Sequence, residues 1–433
     1  MVSEKEKIQI KKRSKNRRTN AKLYPIYKGF AWDLLCYYSI EYLFLTMTKG
    51  VLPSQVLIIS AVYTLSKLIL QIPSIIISEY LGKKKSILLG NSLVLISVIW
   101  LMLSPNFLLI LLSQLTMAMG YDIKAICDSN LLYDSVATKG GDGLYAKLET
   151  KGGSGYYLFD AILSIMAGYL FVINNYIPMI ICSVCLLIAI IIASRFKDIY
   201  PVNKAKRKPL AKFAIDYKDD IVSSLKFIKR SKRIKAYLIF AGFFYGTIRI
   251  FDVYKSNLLT ELEVSPEIFS IIVAVLSLLA AISVRFAKKI QSKFKNRTLS
   301  FISLTYLTSW IIIGMLSLKL TNSVALPIIL GLYCVNRICD SQWYIVKERY
   351  LRNFTEPESR GKITFTFEFI SSLSGSLAAL IGAAILSVTT IKYAILLVAL
   401  LMFAIIVVVL DYMKSRFGLK PKQYDKKDLQ FKL

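Results

Sequence analysis

Stretches of about 20 mostly apolar residues follow one another almost from end to end of this chain, and each is long enough to cross a hydrocarbon layer of about 30 Å as a helix. That pattern constrains the fold more than any motif does. We expect twelve spans, at 29–48, 54–78, 86–103, 107–135, 154–173, 175–195, 236–259, 266–285, 298–318, 325–347, 362–387 and 391–413. A composition of 55% hydrophobic residues and a positive mean hydropathy of +0.54 over 433 residues exclude a string of soluble domains. The expected class is an all-α integral membrane protein.

A formal net charge of +29 would point to nucleic acid in a soluble protein. Its distribution points elsewhere. On turns assigned outside, the only basic residues are Lys49, Lys319 and Lys392, and one such turn carries Glu261, Glu263 and Glu267. Inside turns hold the lysines and arginines, as the positive-inside rule requires, so no nucleic acid is expected as partner. An even number of spans places both termini in the cytoplasm of a multi-pass cell-membrane protein.

Residues 1–28, with KKRSKNRR, are expected to be a disordered basic cytoplasmic tail attracted to an anionic inner leaflet. Arg17 and Arg18 form a twin-arginine pair, but the next apolar segment carries Asp33 and Glu41 and no small-residue cleavage site. A basic linker at 196–235 separates a six-helix half at 29–195 from another at 236–413, followed by a tail at 414–433. Within the linker Leu210, Phe213, Tyr217, Ile221, Leu225 and Ile228 recur at helical spacing. They predict an amphipathic helix, either on the inner membrane surface or on the cytoplasmic ends of the helices.

The hairpin QIPSIIISEYLGKKKS, Gln71 to Ser86, sits between spans two and three. Six spans, a basic linker, six more spans and this hairpin resemble the major facilitator superfamily. Of that family's hairpin signature, Glu79, Gly82, Lys83 and Lys84 match in kind, whereas Ile75 and Tyr80 depart from it. Gln71-Ile72-Pro73-Ser74 and the patch Asp128 to Asp134, DSNLLYD, resemble motifs of a bacterial branch associated with drug or metabolite efflux. Glu358-Ser359-Arg360-Gly361 resembles the arginine-containing loop before span eleven. The resemblance implies two pseudo-symmetric six-helix bundles working by alternating access, with Glu79, Gly82, Lys83 and Lys84 as a gating hairpin. It also implies that spans one, four, seven and ten line a central cavity.

Ionisable groups deep in a membrane are costly and mark functional candidates. Here they are Glu41, Lys67, Asp122, Lys124, Arg249, Asp252, Arg337 and Asp340, and all but Lys67 lie on those four spans. Tyr245 and Tyr333 add aromatic bodies with polar tips. Lys124 with Asp128, Arg249 with Asp252, Asp252 with Lys255, and Arg337 with Asp340 stand three or four apart, so each pair can neutralise itself or contact cargo. Glu41, Lys67 and Asp122 lack an opposite charge at that spacing. A carboxylate there can carry a proton, or can pair with Lys67 across helices.

Other chemistry finds little support. No histidine occurs, no GxxxxGK[ST] phosphate loop is present, and Cys182 and Cys185 lie in an apolar run where small buried residues are the ordinary reading. We expect no cofactor, no metal and no catalytic residue. Ser371, Gly375, Ala379 and Ala383 form a small-residue stripe that predicts close helix packing. The functional expectation is a monomeric secondary carrier, most simply a proton-coupled exporter of an amphipathic small molecule. Uptake of a polar nutrient, lipid translocation and a non-transporting sensor are the alternatives.

Overall fold

The computed structural model describes residues 4–136, 141–200, 232–294, 297–353 and 360–417, with isolated positions between 215 and 226. No strand occurs among them. The amphipathic residues Leu210, Phe213, Tyr217, Ile221, Leu225 and Ile228 and the residues after 417 lie outside the described part, as do Glu358 and Ser359.

The helices are α1 (Glu4–Ala31), α2 (Glu41–Leu43), α3 (Pro53–Leu81), α4 (Lys83–Leu103), α5 (Phe107–Val136), α6 (Gly141–Ile173) and α7 (Ile177–Ser194). After residue 231 come α8 (Lys232–Glu261), α9 (Pro266–Val284), α10 (Ala287–Phe294), α11 (Thr298–Lys319), α12 (Asn322–Asn353), α13 (Arg360–Val388) and α14 (Ile391–Phe417). Eleven of them are long and apolar enough to cross a membrane. The starts are written locally: Pro53, Pro178 and Pro266 occupy first turns, where a missing N–H costs nothing. Asn106 accepts the Leu109 N–H at 3.0 Å to open α5.

Two expectations about the beginning of the chain are corrected. The tail expected to be disordered is helical from Glu4, because Asn20, Tyr24 and Tyr27 recur on one face of α1 and bury against α5, α6 and α7. Mean composition conceals a stripe that narrow. The second correction concerns span 29–48, which is not a continuous helix. It ends at Ala31, turns through 32–40 and resumes as α2 and a π-helical turn, Phe44–Thr48.

Two compact units divide the chain. The first holds residues 1–50, 65–215 and 266–271; the second holds 51–64, 216–265 and 272–433. The start of α3 belongs to the second unit and the first turn of α9 to the first. Ser376 Oγ of α13 contacts Ala61 O at 3.3 Å in the second unit, and Ser270 Oγ contacts Ile165 O at 3.5 Å in the first.

In the first unit α4 and α5 cross at Gly90 and Gly120, where a methyl group on Gly90 would lie 2.7 Å from Gly120 O. Without a hydrophobic drive between helices in lipid, such close backbone approach supplies the packing energy. In the second unit α13 packs closely on α8, and of the predicted stripe Gly375 takes part. Gly375 meets the Tyr245 ring, while Gly242 and Gly246 of α8 face Ser374 and Ala378. Aromatic residues fill the rest of that core: Phe251 stacks on Trp310 at 4.3 Å, and Phe244 meets Trp343 edge-on at 5.2 Å.

Candidate functional site

Each unit carries its own cluster of polar groups at membrane depth. In the first, the cluster is built on the break after α1. Leu34, Leu35, Cys36 and Tyr37 are buried although they belong to no helix, and Cys36 adopts a left-handed φ of 65°. Backbone of this kind survives at membrane depth only where protein supplies its hydrogen bonds. Here α5 supplies one such bond and anchors an acidic side chain of the break. Lys124 Nζ donates to Ala31 O at 2.6 Å and stands 4.3 Å from the centre of the Tyr121 ring. The Tyr121 hydroxyl donates to Asp33 Oδ1 at 2.7 Å, which also accepts from the Tyr38 hydroxyl and the Leu34 N–H at 2.9 Å.

That arrangement replaces the expected Lys124 and Asp128 pair, which does not form. Lys124 is drawn to the carbonyl end of α1, while Asp128 accepts from the Tyr27 hydroxyl at 2.9 Å and pairs with Lys28 at 3.5 Å. The Tyr24 hydroxyl donates to Glu149 at 2.7 Å; burial, then the charges of Asp128 and Glu149, hold it well above its ordinary pKa and keep it a donor. Sequence reasoning overlooked Asp33 and Lys28. A continuous first span over 29–48 places Asp33 near its mouth, and Lys28 falls in the expected tail.

Among the sharper candidates, Glu41 opens α2 and accepts from the Tyr37 hydroxyl at 3.2 Å. Asp122 is buried on α5, and its Oδ2 meets no hydrogen-bond donor among the described residues. Lys67 of α3 acts on it as the attractive neighbouring charge.

The hairpin between α3 and α4 turns at Gly82, whose φ of 80° and ψ of 163° favour glycine. Lys83 pairs with Asp134 at the end of α5, and the Lys84 N–H donates to Asp198 at 2.9 Å. The hairpin and the DSNLLYD patch are therefore one structure. Glu79 is exposed.

In the second unit Asp252, Tyr333, Arg337 and Asp340 line one recess. Arg337 Nη1 donates to Asp340 Oδ2 at 2.9 Å, and Lys255 pairs with Asp252 at 3.7 Å, so both of these local pairs form. Tyr245 and Arg249 instead lie along the α8 face that meets Gly375 of α13. Phe251, Tyr306 and Trp310 complete the recess wall. Their signal in the sequence was weak, because an aromatic inside a span is ordinarily packing.

The Major Facilitator Superfamily model matches residues 34–336, and the chain belongs to that family. Among solved structures, the nucleoside transporter NupG aligns with a TM-score of 0.69 at 12% identity, covering 94% of this chain and all of NupG. A bacterial homolog of the human lysosomal transporter Spinster, inward-facing and unoccupied, aligns with a TM-score of 0.67 at 14% identity, covering 97% of this chain and 98% of the other. A POT family transporter in complex with a thioalcohol-conjugated peptide gives 0.63 at 12% identity, covering 93% and 95%. At these identities the likeness concerns the fold. No curated protein sequence matches the chain.

Proposed function

We propose that this protein is a secondary carrier that exports an amphipathic small molecule by alternating access in exchange for protons. Asp122 carries the reading. A carboxylate oxygen buried at membrane depth without a donor is expensive unless it takes up a proton or a cargo donor during the cycle. Lys67 supplies a charge that can compensate it in the deprotonated state. Glu41, hydrogen-bonded to Tyr37, is the second carboxylate in reach of this role.

The hairpin at Gly82 is assigned the cytoplasmic gate. Lys83 and Lys84 already engage acidic partners there, so contacts that exist in one state and break in the other bias the equilibrium. A few kcal/mol of differential contact is sufficient.

The test uses the full chain in liposomes with an imposed pH gradient, screening compounds for acceleration of proton flux. The expected result is compound-dependent flux that Asp122→Asn abolishes while cargo counterflow survives. Proton flux persisting in a Glu41→Gln, Asp122→Asn double variant overturns proton coupling through these groups.

A further inference from the structure

In the first unit α1 and α6 run side by side and in parallel. The Tyr24 hydroxyl donates to Glu149, a Cβ on Gly152 would meet Lys28 Cβ and Pro25 Cα, and Gly155 packs on Gly29. Lys22 therefore stands level with the α6 turn at 147–151. On each helix an exposed row, spaced by three and four residues, changes from basic to apolar at that level. On α1 the row is Lys11, Lys15, Arg18 and Lys22, then Ile26, which is 54% exposed. On α6 it is Lys147 and Lys151, then, past Ser154, Leu158 and Ile162 at 62% and 49%. Such spacing keeps each row on one helix face. Because α6 is long and apolar enough to cross a membrane, the apolar part of these rows faces lipid and the basic part begins where the hydrocarbon ends.

The six cations have no acidic partner among the described residues. Glu149, the carboxylate nearest in the chain to Lys147 and Lys151, is turned onto Tyr24 and Lys28. The run KKRSKNRR is thereby divided rather than uniformly displayed. Arg13 and Arg17 turn to the opposite face, 5.7 and 6.0 Å from the centre of the Tyr200 ring, and Arg17 donates to its hydroxyl at 3.0 Å. Lys12 is exposed but stands to one side of the row. Unpaired cations along the rim of a lipid-facing surface are complementary to anionic headgroups. A soluble polyanion would find the same charges, but continuity with the apolar rows favours lipid.

Helical rise grades the row by depth. Arg18, Lys15 and Lys11 lie at most about 6, 10 and 16 Å farther out than Lys22. A headgroup layer is about 5 to 7 Å thick on each side, so only Lys22, Lys147, Lys151 and the head of Arg18 fall within it.

We propose that the α1–α6 edge binds the headgroups of anionic phospholipids, with Lys22, Lys147 and Lys151 on their phosphates and Arg18 at the outer rim of the layer. The inference is independent of the carrier reading.

Native mass spectrometry of the delipidated full-length protein in a neutral detergent, titrated with dioctanoylphosphatidylglycerol and with dioctanoylphosphatidylcholine, tests it. The first phosphatidylglycerol bound is expected to be held at least about tenfold tighter than the first phosphatidylcholine, since each basic group near such a charge is worth about fivefold. Lys22→Gln, Lys147→Gln and Lys151→Gln combined should bring the two affinities within about twofold of each other. Lys11→Gln combined with Lys15→Gln, beyond the layer, and Arg13→Gln, on the opposite face, should each change the preference by less than about twofold. Equal affinity of the wild type for the two lipids, a preference unchanged in the triple variant, or one lowered as much by Arg13→Gln overturns the proposal. Displacement of phosphatidylglycerol by an equal concentration of glycerol 3-phosphate would make the ligand a soluble anion, and a duplex DNA bound more tightly than phosphatidylglycerol and lost in the triple variant would assign the edge to nucleic acid. Either result also overturns it.

Discussion

Lys124 Nζ donates to Ala31 O at 2.6 Å, so a buried ammonium on α5 closes the carbonyl end of the helix that breaks inside the first unit. A helix leaves its last carbonyls unsatisfied, and its dipole places partial negative charge there. The cation therefore answers both the hydrogen-bonding and the electrostatic demand of the break.

Lys124→Met should accordingly destabilise the protein by about 2 kcal/mol, the usual value of a hydrogen bond to a charged group. Lys124→Gln, which keeps a donor but no charge, should fall between it and the wild type. Thermal unfolding of the detergent-solubilised protein measures the order. Equal melting temperatures for the three proteins would remove the cap from the account.

Gly90 gives a steric prediction for the same helix. A methyl group there would stand 2.7 Å from Gly120 O and 2.9 Å from Lys124 Cβ, and backbone cannot yield as a flexible side chain does. Gly90→Val should cost about 1 to 3 kcal/mol by overpacking. At Gly331 a Cβ meets nothing within 4 Å, so Gly331→Ala should leave the melting temperature close to wild type. The contrast, read in one thermal series, distinguishes contact from a general intolerance of side chains at glycine.

The span pattern was legible in the sequence because apolar length is a property of each segment by itself. Eleven of the expected spans are helices, though the fifth, expected from 154, begins at Gly141. The break at 32–40 was not legible, since Leu34, Leu35 and Cys36 read as ordinary span residues and the groups that allow the break, Lys124 and Tyr121, sit on another helix. Asp33 was missed for that reason. Local ion pairs fared unevenly on the same principle: Arg337 with Asp340 forms along its helix, but the end of α1 competes for Lys124 and leaves Asp128 to Lys28. Spacing shows which partners a charge can reach on its own helix. It says nothing of a stronger partner elsewhere.

Gly82 tests the hairpin backbone. Its φ of 80° with ψ of 163° lies in a region that side-chain-bearing residues reach at a cost of about 1 to 3 kcal/mol. Gly82→Val should reorient the start of α4 and slow transport while the folded protein is still recovered as a single species by size-exclusion chromatography. Unchanged transport by that folded variant would count against a gating role for the turn.

Lys83 and Asp134 test the hairpin's charge separately from its backbone. The two side chains are 35% and 17% exposed, so their attraction is only partly screened, and pairs of this kind contribute about 1 kcal/mol. If the pair holds the hairpin against α5 in one state of the cycle, Lys83→Asp and Asp134→Lys should each shift the balance between states and lower transport. The doubly exchanged protein should recover most of what either loses, because attraction is restored with the signs reversed. A double-mutant cycle on transport rate gives the coupling directly. Additive losses would mean that the two residues act independently, and the hairpin would then be held by its other contacts, among them the Lys83 bond to Asn130 O, the Lys84 N–H bond to Asp198 and the Gly82 turn.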